Sequence, residues 1–204
     1  MKIGRGRGSQ RKIFFSMNVE IHKTLPDKVK RQIDAIDKES FSWIMKLTPE
    51  ERIVHKDKFC SGNDRIGYAI VQDKNDVIGA VTILRRTIVF DDVSMVLGGI
   101  GGLCTSKDKR QKGVGKLLLV KAMDELRRAG CDTAYLCTDV SKDWMVRFYE
   151  KAGFIRIQHG HTYTGKSGKR YTEFDGMVAP VCSTEKFQRI IMGEKALDIG
   201  RGNW

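Results

Sequence analysis

The chain has 204 residues, 41% of them hydrophobic, with a formal net charge of +12 and an isoelectric point near 9.6. That length suits one domain, and no run of 18 or more uncharged apolar residues appears, which excludes a transmembrane helix. The basic start lacks an apolar signal core. Five scattered cysteines (Cys60, Cys104, Cys131, Cys137, Cys182), none in a Cys-x-x-Cys pair, read as free thiols in a reducing cytoplasm rather than as disulfides or a zinc site, so no metal is expected.

In chain order, residues 1–16 contain Lys2, Arg5, Arg7, Arg11 and Lys12 and no acid, and read as a flexible basic tail ahead of one domain at 17–204. Val19 and Ile21 alternate with polar neighbours as a short strand. Leu25-Pro26 opens a helix with Val29, Ile33 and Ile36 on one face, and Thr48-Pro49-Glu50-Glu51 is a capping-box start for a second. Asp57 to Asp64 reads as polar loop. Ile66 to Gln72, Val77 to Phe90 and Met95 to Thr105 read as an antiparallel meander, with Asp73-Lys74-Asn75-Asp76 and Asp91-Asp92 as turns. Leu117, Leu118, Val120, Met123, Leu126 and Ala129 stripe a helix that Gly130 ends. Ala134 to Thr138 is a buried strand, parallel to the last strand of the meander because a strand–helix–strand crossover connects parallel neighbours. Trp144 to Lys151 is a helix. Phe154 to Ile157 and Tyr171 to Val181 are expected to pair across Gly165-Lys166-Ser167-Gly168, and Thr184 to Leu197 suggests a last helix. The fold class is α/β (α+β), a mixed sheet with flanking helices.

Between the meander and its following helix stands Arg110-Gln111-Lys112-Gly113-Val114-Gly115-Lys116. A helix N-terminus presents unpaired N–H groups and partial positive charge, so it attracts anions. Gly113 and Gly115 let the backbone approach a phosphate, and Arg110, Lys112 and Lys116 add charge. A P-loop is excluded because Leu117 follows Gly115-Lys116, and a dinucleotide fingerprint starting at Gly99-Ile100-Gly101 is broken by Cys104. The chemistry indicated is capture of a pyrophosphate.

The pattern Arg/Gln-x-x-Gly-x-Gly/Ala resembles the acyl-CoA loop of the GNAT N-acetyltransferase superfamily, and Phe148-Tyr149-Glu150-Lys151-Ala152-Gly153-Phe154 resembles a second segment of that family at the expected distance. The resemblance implies the GNAT fold, with a splayed parallel strand pair, and acetyl-CoA as co-substrate. It places the pyrophosphate on Arg110, Gln111, Lys112, Gly113, Val114, Gly115 and Lys116, and the acyl-pantetheine arm against strand amides near Leu103, Cys104 and Thr105. Gly98, Gly99, Gly101 and Gly102 mark that strand as unusual. The resemblance also makes Tyr149 the proton donor to the departing thiolate. Lys142 stands where many relatives carry Asn.

Acetyl transfer to an amine of pKa near 10.4 requires its neutral form, which costs roughly 4–5 kcal/mol at pH 7. A base must meet that cost, and the strand glutamate that many relatives use is missing, with Gly101 in its place. Asp139, Glu173, Asp175, His159 and His161 remain as candidates. Ala80-Val81, Arg85-Arg86, His159-Gly160, Asp175-Gly176 and Trp204 are similar to the aminoglycoside 2′-N-acetyltransferase branch. That similarity implies that Asp175 and Trp204 bind the acceptor, Trp204 through its carboxylate. A large aromatic is costly to leave in water, so Trp204 is expected to pack back on the domain and bring that carboxylate to the site. The expected activity is transfer of acetyl from acetyl-CoA to a primary amine of a small molecule, aminoglycosides included. Another amine or a longer acyl donor stays open, as does a homodimer. The rival from another class is a non-catalytic nucleic-acid binder using the basic surface, which would need clustered charge and exposed aromatics.

Overall fold

The computed structural model describes residues 18–59 and 63–204. The expected basic tail at 1–16 lies outside those residues, as does Cys60. The chain opens with β1 (Val19–His22), α1 (Asp27–Ser40), a 3₁₀ turn at Ser42–Lys46 and α2 (Pro49–Lys58). Thr48 and Glu51 close the expected capping box: the Thr48 hydroxyl accepts from the Glu51 N–H at 3.2 Å, and the Glu51 carboxylate accepts from the Thr48 N–H at 2.8 Å. No Gly or Pro interrupts this helix, so Asp57 and Lys58 form its last turn instead of a loop.

The meander follows as β2 (Arg65–Asp73), β3 (Asp76–Phe90) and β4 (Val93–Thr105). Next come α3 (Val114–Arg128), β5 (Thr133–Cys137) and α4 (Asp143–Glu150). The last third is more finely divided than the sequence suggests: β6 (Ile155–Arg156), β7 (His161–Thr164), β8 (Arg170–Glu173), β9 (Gly176–Pro180), α5 (Thr184–Met192) and β10 (Leu197–Arg201). The run Tyr171 to Val181, expected as one strand, breaks at Phe174-Asp175. Its first part pairs with β7 across the Gly165–Gly168 turn, and its second pairs with β5 and β6. The expected last helix stops at Met192, and Leu197 begins a strand parallel to β7.

The large sheet runs β1-β2-β3-β4-β5-β9-β6, and a small sheet runs β10-β7-β8. β4 and β5 are parallel, as the crossover rule requires. One face of the large sheet packs against α3 and α4 through Ala69, Val81, Ile83, Leu118, Leu119, Leu126 and Phe154. The other carries α1 over Ile70, Ala80 and Cys104, and beside it the small sheet and α5 over Leu84, Leu97, Tyr135 and Val178. This is a mixed α/β architecture with a parallel strand pair at its centre, as the resemblance implies.

Candidate active site

The site starts where β4 and β5 part. They pair only at Leu97–Thr133, Gly98–Ala134 and Gly99–Tyr135, although β4 continues to Thr105 and β5 to Cys137. A bulge shapes the free lip. Between the pairs Thr82–Gly101 and Ala80–Cys104, β4 has one extra residue, and Gly102 takes a φ of 58° there, a left-handed conformation that suits glycine. The bulge reverses which residues point sideways. Before it, Val96 bonds towards the β5 side, since the Asp132 N–H donates to the Val96 carbonyl at 2.8 Å. After it, the Ser106 N–H donates to the Ile78 carbonyl on the β3 side at 3.0 Å. By strand alternation Cys104 then faces β3, and Leu103 and Thr105 face the gap. Of the three residues expected to offer amides to a ligand, Cys104 is thus spent on β3. Its thiol is buried under α1 and pushed up by burial to about 12.

The phosphate loop closes the end of the same gap. Gly113 precedes α3 with a φ of 85° and Gln111 has a φ of 61°. No side chain caps the helix, and its first bond runs from the Leu117 N–H to the Gly113 carbonyl at 3.0 Å. The amides of Val114, Gly115 and Lys116 are therefore free of helical partners. Arg110 crosses the mouth, with Nε donating to the Thr105 carbonyl at 3.3 Å and a terminal nitrogen to the Ser40 hydroxyl at 3.3 Å. Lys112 and Lys116 are exposed. A Cβ on Gly115 would lie 3.6 Å from Phe148 and 4.0 Å from the Thr105 side chain, so it would point into the gap in ordinary contact. Open amides, cationic side chains and an unpaired strand edge suit an anionic ligand with an extended polar arm.

Tyr149 lies buried beside Phe148 and Phe154. Burial, with Cys137 nearby, raises its hydroxyl well above the usual range, so it stays protonated at neutral pH.

The opposite side of the gap is built by the chain's last residues. Trp204 is 7% exposed, and its ring lies so close over β4 that a Cβ on Gly99 would fall 2.1 Å from it. The Arg86 guanidinium sits 4.0 Å from the centre of that ring, and Arg86 also donates to the carbonyls of Ile199 and Gly202 and pairs with Asp64 at 2.6 Å. The Trp204 carbonyl accepts from the Cys137 thiol on β5 at 2.9 Å, and its carbon lies 3.7 Å from where a Gly101 Cβ would be. Trp204 thereby spans both lips. Asn203 locks it in place: its side-chain oxygen accepts from the Tyr135 hydroxyl at 2.8 Å and the Trp204 N–H at 2.9 Å, and its amide donates to Glu173 at 3.2 Å.

Of the five candidates for the base, three converge here. Among the described residues, donor atoms of His161, Glu173 and Asp175 lie within 4.8 Å of one another. Lys58 already supplies a cation to this cluster, 2.5 Å from Glu173, which argues for an ion-paired network over a metal site. Burial raises Glu173, but the hydrogen bonds from Lys58 and Tyr163 outweigh it and hold the carboxyl below its usual range. His161 is fully buried, and burial lowers it to about 4. Asp175 is pushed up to about 6 by burial and then by the Glu173 charge. His159 is exposed, and Asp139, near enough for its charge to act on Asp175, is exposed and bonded to Ser141 and Lys142. Sequence reasoning missed Lys58, Arg86 as a latch, Tyr135, Cys137 and Asn203. Only Arg85-Arg86 carried a signal, and the others acquire a role through contacts of long sequence separation.

A gap in a parallel strand pair, capped by an open helix N-terminus and faced by half-buried acids, suits acyl transfer. Residues 31–154 match the acetyltransferase (GNAT) family model, and the chain belongs to that family. It is similar to N-alpha-acetyltransferase 30 of Saccharomyces cerevisiae, 29% identical over 90 residues that cover 44% of this chain and 51% of that protein. The chain thus matches about half the length of this curated relative. Among solved structures it resembles the ribosomal-protein-S18-alanine N-acetyltransferase of Escherichia coli, with a TM-score of 0.52, 15% identity, and coverage of 83% of this chain and 97% of that one. It also resembles a chain of the NatC complex bound to Gag peptide and CoA, with a TM-score of 0.50, 18% identity, and coverage of 79% and 98%. At such identities the structural likeness speaks for the fold.

Proposed function

We propose that this chain transfers acetyl from acetyl-CoA to a primary amine of a small molecule. The observation that carries the reading is the opening between β4 and β5 that leads to the uncapped N-terminus of α3. In this reading Val114, Gly115 and Lys116 hold the pyrophosphate by their amides, with Gln111 and Gly113 shaping the loop and Arg110 and Lys112 adding charge. Leu103 and Thr105 receive the pantetheine arm along the free edge. Tyr149 gives its proton to the departing thiolate. Asp175 and Trp204 form the acceptor side, where two half-buried acids, Glu173 and Asp175, beside Lys58 favour a cationic amine. Aminoglycosides are the first class to test, because Asp175 and Trp204 carry the similarity to that branch.

The experiment is acetyl-CoA turnover with thiol detection across an amine panel that includes aminoglycosides, together with calorimetry on Gly115→Asp. The new side chain would place its carboxylate in the gap beside Thr105 and Phe148. Acetyl-CoA affinity should fall at least about tenfold, or roughly 1.4 kcal/mol. An unchanged affinity in a folded variant removes the donor site from this loop. Steep salt-dependent nucleic-acid binding without acetyl-CoA binding would favour the rival reading.

A further inference from the structure

We propose that Asp175 is the base that takes the proton from the acceptor amine, a part many GNAT relatives give to a glutamate on β4. The assignment rests on the acetyltransferase reading above. It begins from unsatisfied atoms. Buried polar groups normally find partners, so each exception calls for an explanation. Among the described residues, five buried side-chain atoms lack one, and four of these belong to Thr138, His161, Asp175 and Trp204. All four residues border the C-terminal end of β5. The Thr138 N–H donates to the Asp175 carbonyl at 3.0 Å, and Gly176 pairs with Cys137, whose thiol bonds the Trp204 carbonyl. Asp175 is therefore held by its backbone at the tip of the strand that forms one lip of the gap, on the face that Trp204 covers.

Its carboxyl is arranged unlike its neighbours. One oxygen is buried without a hydrogen bond, 3.7 Å from His161 Nε2, while the side chain as a whole is 35% exposed. It thus has free acceptor capacity and an open side. Glu173 is less open, and both its oxygens are engaged: one accepts from Lys58 at 2.5 Å, and the other from Tyr163 at 2.8 Å and Asn203 at 3.2 Å. His161 is wedged between Tyr135 and Tyr163 with no exposure. Asp139 is exposed and bonded to Ser141 and Lys142.

The proton balance is closed without a further reactant. The ammonium loses one proton to the Asp175 carboxylate and becomes a nucleophile. Its lone pair forms the C–N bond as the C–S bond breaks and its electron pair leaves on sulfur. Tyr149 protonates that sulfur. The nitrogen's second lost proton restores Tyr149 through solvent, and Asp175 returns its own to solvent. The products are an acetamide, the coenzyme thiol and one released proton.

The groups facing Asp175 are Glu173 from β8, His161 and Tyr163 from β7, Lys58 from α2, Tyr135 and Cys137 from β5, and Asp139 from the loop after β5. Their pKa directions separate them: His161 lies near 4, Glu173 is lowered, and the tyrosines and Cys137 are raised. Asp175 lies at about 6. The carboxylate is the active form, so kcat/KM should fall as pH drops through that value.

The test is the pH dependence of kcat/KM between pH 5 and 9 for the full chain, for Asp175→Asn and for Asp175→Glu, with acetyl-CoA affinity measured in parallel. Asp175→Asn should lose the limb near pH 6 and about 10²–10⁴ in rate at neutral pH. Its deficit should narrow at high pH as the amine deprotonates in solution, and acetyl-CoA should bind as before. Asp175→Glu should keep a limb and part of the rate, which carries the test where the Asn variant does not fold. A folded Asp175→Asn that keeps the limb overturns the assignment, whether its KM rises or its kinetics are wild type. If the unmodified chain releases no thiol with any amine of the panel, the acetyltransferase reading fails and the assignment falls with it.

Discussion

Tyr149 shows how much one residue's chemistry depends on its surroundings. Its ring packs edge-on against Phe148 and Phe154, and its hydroxyl has no hydrogen-bond partner among the described residues. A phenol desolvated in this way keeps its proton at neutral pH. Tyr149→Phe preserves the ring and removes the proton. The expected result is a kcat lower by about 10²–10⁴ with acetyl-CoA affinity and thermal stability near wild type. Pre-steady-state kinetics that isolate the chemical step provide the check, and a kcat within a factor of about two would make Tyr149 a packing residue.

At the scale of an element, β4 explains its own glycines. Gly98 faces α3, where a Cβ would meet Leu126 at 2.7 Å, while Gly99 faces the other way, against the Trp204 ring. Gly102 supplies the bulge that reverses the strand's free edge. The strand is thin on both faces because a helix and an indole press on it. Overpacking a tight contact costs about 1–3 kcal/mol, so Gly99→Ala should destabilise by that order in the wild-type background. In a Trp204→Ala background the clash is gone, and the cost should shrink by about 1 kcal/mol or more. Gly98→Ala with Trp204→Ala should instead show a smaller coupling, because a Cβ on Gly98 points at Leu126 of α3 and not at the ring. Urea denaturation of the four variants in each cycle measures both couplings.

For the whole molecule, the C-terminal segment adds to the ties between the small sheet and α2. β10 pairs with β7, the Gly202 N–H donates to the Thr164 carbonyl at 2.8 Å, and the Asn203 N–H donates to the Lys58 carbonyl of α2 at 2.8 Å. Asp57 of α2 in turn accepts from Ser167 and Tyr171 of the small sheet. Removing Gly202 to Trp204 deletes a buried indole and the Asn203 bridge. Loss of a buried Trp side chain typically costs 3–5 kcal/mol, so denaturant unfolding should show a drop of about that size. The donor loop stands on α3, away from this segment, so calorimetry should find acetyl-CoA binding retained while acceptor KM or kcat worsens. Wild-type kinetics in the shortened chain would detach the segment from the site.

The glycine loop before α3, the Phe148–Phe154 segment and the parallel relation of β4 and β5 were legible in the amino-acid order. Each is local: a few adjacent residues set the turn, the helix start or the crossover. The order also singled out Asp175 through similarity, and Trp204 both through similarity and through the cost of leaving an indole in water. Tertiary structure alone decided what they meet. Asp175 and Glu173 are two positions apart and chemically alike, yet Lys58, 115 residues before Glu173 in sequence, neutralises one and leaves the other with a free oxygen. The same holds for the break at Phe174-Asp175, which sends β8 and β9 to different sheets, and for Arg86, which reaches the carbonyls of Ile199 and Gly202. A carboxyl's pKa and a strand's partner depend on desolvation and on groups brought near by folding, and neither quantity exists until the chain has closed on itself.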